Sequence, residues 1–91
     1  MYILEYDESW DKYFQKVPPD IKKRFLKKVD KYSIHPTIAF EHKKYGVPFF
    51  SDWIGPNYRV CFTCDEDKNK RIFYFIGDHK EYERWLKKYE K

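Results

Sequence analysis

A small set of polar residues in this chain combines groups that transfer protons with groups that bind phosphate. His42 and His79 carry imidazoles, the side chain best matched to proton transfer near neutral pH. Arg59 lies among apolar residues, and a cation pointing inward from a sheet needs an anion. The rest of the set is Glu41, Lys43, Lys44, Lys80 and Tyr82.

These residues suit the cleavage of RNA without a metal ion. The 2′-hydroxyl must lose a proton to attack the adjacent phosphorus, the added negative charge must be stabilised, and the leaving 5′-oxygen must gain a proton. A base, a cationic clamp and an acid meet these needs, and each proton transfer contributes roughly 10²–10⁴-fold. Arginine is the better clamp because its planar fork matches phosphate oxygens.

Each candidate also has an ordinary structural interpretation. A histidine in an extended segment, such as His42, is more often an ordinary surface residue. Lys43 and Lys44 alternate between strand faces, so at most one of them points to a common site. His79 falls in the first turn of a helix, where the dipole disfavours a cation. Tyr82 fits a helix core stripe as well as a site.

Other chemistries lack their motifs. The sequence contains no nucleophile elbow, P-loop or zinc-ligand spacing, and no cofactor is expected. Cys61 and Cys64 form a C-x-x-C spacing, but they lie three apart in an alternating strand and point to opposite faces. We expect two reduced packing cysteines, as in a cytoplasmic protein, with no disulfide and no metal.

Composition bounds the protein to one small domain, residues 1–91. Aromatic residues make up 22% of the chain, which allows a small core to bury much area. The net charge of +4 is compatible with a nucleic-acid or other anionic partner. No signal peptide and no membrane span is recognisable, so we expect a cytoplasmic protein.

Hydrophobic periodicity predicts one strand and two helices in the first third. Tyr2–Tyr6 reads as a strand, and a stripe with helical spacing follows at Trp10, Tyr13, Phe14 and Val17. The Pro18-Pro19 pair ends that helix and begins another. The second stripe is Ile21, Phe25, Val29 and Tyr32. The lysines and arginine around it suit a solvated face, with phosphate binding as the alternative.

The remainder reads as strands and a final helix. Thr37–Tyr45 and Val47–Ile54 are predicted to be extended, and Gly55-Pro56-Asn57 is a turn signal. Tyr58–Cys64 alternates cleanly, and a charged hairpin loop, Asp65–Lys70, follows it. Arg71–Ile76 is an apolar strand. Asp78 and Glu81 read as a capping box that opens a helix carrying Tyr82, Trp85, Leu86 and Tyr89.

These elements predict an α+β fold in the order β-α-α-β-β-β-α. A small antiparallel sheet would carry the helical hairpin on one face, against Val60 and Phe62. Arg59 would then project onto the opposite, open face. Because Arg71–Ile76 is apolar on both faces, we expect the last helix to cover its second side.

This order, with His-Lys-Lys at 42–44, Tyr-Arg-Val at 58–60 and Ile-Gly-Asp-His-Lys-Glu-Tyr-Glu-Arg at 76–84, resembles the RelE/ParE superfamily of toxins. The resemblance covers nearly the whole chain and is greatest to the RelE-like mRNA interferases. It implies the toxin of a type II toxin–antitoxin system. Such a toxin is a ribosome-dependent endoribonuclease that needs no metal and is neutralised by a small antitoxin.

The resemblance also implies roles for individual residues. Arg59 matches the arginine that holds the scissile phosphate, and His79 matches the position of the general acid. Glu41 or His42 falls near the position of the general base. The other matches are Lys43 and Lys44 on the strand that grips the RNA backbone and Tyr82, a tyrosine that orients a base, with Lys80 beside them as a further RNA contact.

Two other functions fit the same sequence. One is a ParE-like inhibitor of DNA gyrase, although the histidine after Gly77 argues against it because a pure binder needs no acid. The other is a nucleic-acid-binding relative without catalysis, which would bind in a salt-sensitive way. The rings Phe49, Phe50 and Trp53 are expected in the core or at the antitoxin contact, with base stacking as the alternative.

Overall fold

The computed structural model describes residues 1–42 and 48–89, and of His42 only the backbone. Lys43 and Lys44 therefore lie outside the described residues. The strands are β1 (Ile3–Tyr6), β2 (Glu41–His42), β3 (Phe50–Ile54), β4 (Tyr58–Asp65) and β5 (Lys70–Asp78). The helices are α1 (Trp10–Phe14), α2 (Pro19–Lys27), α3 (Val29–Ile34) and α4 (His79–Lys87), with a 3₁₀ turn at Thr37–Ala39.

One mixed sheet forms the centre of the α+β fold, with the strands in the order β1-β5-β4-β3-β2. The predicted antiparallel pairing holds from β2 to β5. It is wrong for β1, which pairs parallel to β5 with Ile3 opposite Lys70. The chain reverses direction between each successive pair of strands from β2 to β5. β5 thereby runs in the same direction as β1, and β1 pairs with its outer edge.

The helical hairpin packs on one face of the sheet, as predicted. Its apolar stripes meet Val60, Phe62 and Phe73 in a continuous core. Trp10 and Phe25 are both nearly fully buried, with their ring centroids 5.1 Å apart. Rings of this size bury enough area to stabilise a small core.

A bulge in β5 explains how this strand serves two cores. Cys61 pairs with Phe75 and Phe62 pairs with Phe73, so Tyr74 is an extra residue in β5. The bulge shifts the alternation, and Phe73 faces the helical hairpin while Phe75 faces the other side. α4 covers that second side with Trp85 and two further apolar residues, as predicted.

The start of α4 confirms the sequence prediction. The Asp78 carboxylate accepts a hydrogen bond from the Glu81 backbone N–H at 2.9 Å, and the Glu81 carboxylate accepts one from the Asp78 N–H at 3.1 Å. This reciprocal capping box satisfies backbone donors that the first helical turn leaves unpaired. It thereby fixes where the strand ends and the helix begins.

Two local predictions were wrong. The second predicted helix is divided at Lys28, whose backbone angles of φ −93° and ψ −2° separate α2 from α3. Thr37–Ala39 is a 3₁₀ turn rather than part of an extended segment. The turn follows Pro36, whose carbonyl accepts a hydrogen bond from the Ala39 N–H at 2.9 Å.

A fully buried arginine, Arg71, lies near the start of β5, opposite Leu4 on one side and Cys64 on the other. It donates to the Tyr32 carbonyl at 2.6 Å and to Thr37 Oγ1 at 3.2 Å, and its guanidinium lies 3.7 Å from the Tyr2 ring centroid. These contacts tie the N-terminal strand to the segment that leads into β2.

The cysteines occupy opposite sides of the sheet, as predicted. Cys61 lies in the core beneath α4, whereas Cys64 packs against the core beneath the helical hairpin. No disulfide joins them. Burial raises the pKa of the Cys64 thiol, so the neutral thiol is favoured. Within the described residues, no helix combines the length and apolar character needed to cross a membrane.

Candidate active site

Arg59 lies in the middle of the sheet, on the face opposite the helical hairpin. This placement was predicted, but the expectation of an open face was wrong, because Arg59 is only 4% exposed. The ring of Trp53 lies 4.3 Å from the guanidinium carbon, and the ring of Tyr82 lies 5.1 Å from it. The Arg59 side chain points away from the core beneath the helical hairpin, and these two rings cover it.

Polar contacts to Arg59 come from β3 and from β2, the strand beyond it. Nη2 donates to Ser51 Oγ at 2.8 Å and lies 3.3 Å from Glu41 Oε2. Ser51 pairs with Glu41 in the strand register, so the guanidinium reaches across β3 to β2. The Glu41 side chain is 57% exposed, so the carboxylate end of this ion pair faces solvent.

The guanidinium of Arg59 retains unused hydrogen-bonding capacity. Its Nε atom is buried and has no hydrogen-bond partner in the described part of the chain, which leaves out residues 43–47 and the side chain of His42. Buried polar groups in folded proteins are nearly always paired, and an exception needs a physical explanation. A guanidinium held in an apolar setting with a spare donor is suited to an anionic ligand, above all a phosphate.

His79 stands at the corner between β5 and α4. Its N–H donates to the Asn57 carbonyl at 3.0 Å, which ties the corner to the turn between β3 and β4. The imidazole is 54% exposed, and Nε2 lies 2.8 Å from Glu83 Oε1, one helical turn further on. The ring is therefore accessible and is oriented by a carboxylate.

Trp53 and Tyr82 bring Arg59 and His79 into one cluster. The His79 ring stacks nearly parallel on Trp53, at 6.0 Å between centroids and 16° between planes. Its centroid also lies 6.2 Å from that of Tyr82. Both aromatic side chains thus contact both Arg59 and His79. Tyr82 is itself only 1% exposed, so it forms a wall of the cluster.

Gly77 permits this corner to close. It pairs with Arg59 in the register between β4 and β5. A Cβ atom at this position would lie 2.6 Å from Phe75 Cζ and 3.3 Å from Glu81 Cβ. Only glycine fits at this position without moving the Phe75 ring. The glycine two residues before His79 is therefore explained by packing.

The structure therefore brings together four of the predicted site residues: Glu41, Arg59, His79 and Tyr82. Lys80 is exposed in the first turn of α4, beside His79. Sequence reasoning missed the roles of Ser51 and Glu83, and it assigned Trp53 to the core or to a partner contact. The alternation of β3 could have found two of these, since Ser51 and Trp53 share the face on which Arg59 lies.

No three His, Cys, Asp or Glu side chains in the described part of the chain lie close enough together to hold a metal ion. A cleft of about 270 Å³ lies elsewhere, between α1 and α4, and Arg59 and His79 do not line it. The chemically distinctive cluster thus lies on the sheet beside the start of α4, outside this cleft.

Comparison with known proteins gives a structural match without a sequence match. No protein-family model matches the chain, and no curated protein matches it either. Solved structures do match. The toxin–antitoxin complex RelBE2 from Mycobacterium tuberculosis is 15% identical, with a TM-score of 0.74 over 86% of this chain and 98% of that chain.

Two further toxin structures agree with this match. The isolated E. coli RelE toxin is 18% identical, with a TM-score of 0.71 over 97% of this chain and 98% of that chain. The YoeB/ParE toxin from Agrobacterium tumefaciens is 14% identical, with a TM-score of 0.64 over 87% and 99%. The chain therefore has the fold of the RelE toxins. At these identities, the likeness establishes the fold and leaves the chemistry to the site.

Proposed function

We propose that this protein is the toxin of a type II toxin–antitoxin system and cleaves mRNA on the ribosome without a metal ion. The observation that carries the proposal is the state of Arg59. Its guanidinium is buried, bears an unused donor within the described residues, and lies between an exposed carboxylate, Glu41, and an exposed imidazole, His79. This is the set of groups that phosphodiester transesterification needs.

Each group has one task. Glu41 accepts the proton of the 2′-hydroxyl, and the resulting oxygen attacks the adjacent phosphorus. Arg59 stabilises the additional negative charge on the phosphoryl oxygens, and Tyr82 supports the guanidinium from beneath. His79 donates a proton to the 5′-oxygen as its bond to phosphorus breaks. The products are a 2′,3′-cyclic phosphate and a 5′-hydroxyl, and no water or metal is consumed.

Glu41 is favoured over His42 as the base because its carboxylate lies beside Arg59. Glu83 engages Nε2 of His79, so within the described residues Nδ1 is the nitrogen with no protein partner to displace before it donates. Lys43, Lys44 and Lys80 would bind the RNA backbone around this centre. Such contacts are electrostatic and weaken as the salt concentration rises.

The partners follow from the same proposal. The matched structures include RelB–RelE antitoxin–toxin complexes from E. coli and Pyrococcus horikoshii. A cognate antitoxin protein would neutralise this chain in the same way, and the ribosome carrying mRNA would be its target. The protein would accordingly act in the cytoplasm.

The test is cleavage of a reporter mRNA by purified protein on purified ribosomes, with 5′ ends mapped by primer extension. Wild type should create new ends carrying a 5′-hydroxyl. Arg59→Ala and His79→Ala should reduce cleavage by about 10²-fold or more. His35→Ala is the matched control, since His35 is an exposed histidine at the end of α3. Full activity in both site variants would refute the proposal.

A second candidate is inhibition of DNA gyrase. The match to a YoeB/ParE toxin favours keeping it, because that name covers both kinds of toxin. It predicts inhibition of supercoiling by the wild type and by His79→Ala alike, with no new mRNA ends. A supercoiling assay on the same preparations separates the two functions.

A further inference from the structure

Trp53 lies at the centre of the site, but the proposed reaction assigns no step to it. It lies on β3, directly opposite Arg59 in the strand register, and its side chain is 42% exposed. Its backbone is held from below, where Lys28 Nζ donates to the Trp53 carbonyl at 2.5 Å. The next residue back, Asp52, is bound by Lys31 and Tyr32. These contacts fix the backbone from which the indole projects.

The indole contacts both the guanidinium of Arg59 and the imidazole of His79. The Arg59 guanidinium carbon lies 4.3 Å from its ring centroid, and the His79 ring stacks on it at 6.0 Å with 16° between the planes. Because both groups lie against the same ring, these two distances limit how far the Arg59 guanidinium can be from the His79 imidazole. A flat guanidinium and a flat imidazole each fit an aromatic face, which fixes their planes as well as their positions.

Among the residues that the structure describes, the His79 ring has no comparable restraint from another part of the sheet. Glu83 holds Nε2 from the side, but it is 60% exposed and belongs to the same helix as His79. Tyr82 contacts the ring at a longer distance and a steeper angle, 6.2 Å and 35°. The contact between Trp53 and His79 is thus the one that ties the plane of the imidazole to the sheet that carries Arg59.

We propose that Trp53 is a positioning residue, which holds the imidazole of His79 in a fixed orientation relative to the guanidinium of Arg59. The inference rests on the proposed nuclease function and adds to it a residue that sets the geometry of proton delivery. Stacking of an RNA base on the indole is the competing role. The contacts favour positioning, because the ring already engages a guanidinium and an imidazole.

The test measures kcat and KM for ribosome-dependent cleavage in Trp53→Ala and Trp53→Phe. Misplacement of an acid lowers kcat, and we expect Trp53→Ala to lose about 10- to 100-fold in kcat with little change in KM. Trp53→Phe keeps an aromatic face and should recover most of the loss. Tyr6→Ala is the control, because Tyr6 is 45% exposed and also packs on two rings but lies on β1, away from the site.

A second measurement is independent of catalysis. The imidazole proton resonances, assigned by comparison with His79→Gln, should show the ring-current shift of a stacked indole. Trp53→Ala should abolish that shift while the remaining spectrum stays folded. Unchanged resonances, unchanged kcat, or a rise in KM alone would overturn the positioning role. Absence of cleavage by wild type would instead refute the nuclease proposal, and the resonances would still decide whether Trp53 holds His79.

Discussion

Arg59 on β4 reaches across β3 to Glu41 on β2, with Nη2 3.3 Å from Oε2. The two ends of this ion pair differ, because the guanidinium is 4% exposed and the carboxylate 57% exposed. Solvent screens the exposed end, so the pair adds little stability for the cost of burying a cation. A pair that contributes little to folding and leaves the Glu41 carboxylate accessible lets the guanidinium release that carboxylate and bind a substrate phosphate, while Glu41 stays beside it as the base.

Glu41→Gln should separate chemistry from stability. The amide keeps the shape of the side chain but cannot accept the 2′-hydroxyl proton, so cleavage should fall by about 10²–10⁴-fold. Stability should change by less than about 1 kcal/mol, because the side chain is exposed. The measurements are ribosome-dependent cleavage and urea unfolding.

Glu5→Gln is the matched control for that variant. Glu5 is also exposed and ion-paired, 3.1 Å from Lys70 Nζ, but it lies on β1. Its replacement should leave cleavage unchanged. A Glu41→Gln protein as active as this control would remove Glu41 from the mechanism and direct the search for the base to His42.

Gly77→Ala should destabilise the corner between β5 and α4. The new methyl group would lie 2.6 Å from Phe75 Cζ, and overpacking of this kind typically costs about 1–3 kcal/mol. Urea unfolding measures the loss. A double variant with Phe75→Leu should cost less than the sum of the single changes, since a smaller side chain relieves the clash. Additive costs would mean that the Phe75 ring is not the obstacle.

Asp78→Ala should loosen the start of α4 and with it His79. Removing an N-cap side chain costs about 1 kcal/mol, and here the carboxylate also completes a capping box. The loss should appear in the free energy of unfolding from urea titration. Asp67→Ala, in the exposed turn between β4 and β5, should be neutral. Equal stability of the two variants would show that the box adds nothing to the fold.

Asp52 should make stability depend on pH. Burial by itself would raise the pKa of its carboxyl, but the hydrogen bonds from Lys31 and Tyr32 and the nearby ammonium of Lys28 outweigh that effect and lower it. A carboxylate with a lowered pKa in the folded state stabilises the protein above its unfolded pKa of about 3.9. That contribution is lost as the pH falls through the folded value.

Asp52→Asn should therefore be less stable than wild type at pH 7, by about 1–2 kcal/mol, since hydrogen bonds from charged donors are lost. The difference should shrink as the pH falls below about 4. Unfolding by urea at pH 7 and pH 3 measures it. Asp30→Asn, on the exposed side of α3, is the control. If the stability difference between Asp52→Asn and wild type persists at pH 3, the loss comes from the changed shape of the side chain and not from its charge.

Local patterns predicted much of this fold. The capping box at Asp78 and Glu81, the alternation through Arg59, and the need to cover both sides of β5 are all properties of short segments. The parallel docking of β1 was not predictable in that way, because it depends on which edge of the sheet remains free. The extra residue Tyr74 was equally hidden, since a bulge is defined only against its partner strand.

Four residues of the cluster, Glu41, Arg59, His79 and Tyr82, were singled out from the sequence, but their surroundings were not. Arg59 and His79 stood out by residue type and place in the chain. The burial of Arg59 beneath Trp53 could not be predicted from the sequence, because it depends on the register in which β3 pairs with β4. A long aromatic residue in a short strand has several equally plausible partners, and only packing selects one of them.

The pairing of β1 with β5 has a consequence for synthesis. β1 pairs with β5, so that Ile3 lies opposite Lys70, and pairings between segments this far apart in sequence are slow to form. Glu41 and Arg59 emerge from the ribosome before β5, but Gly77, His79 and α4 come after most of the chain. An unfinished chain thus has a clamp with no acid beside it. Under the proposed function, cleavage can therefore begin only after β5 and the start of α4 have been made.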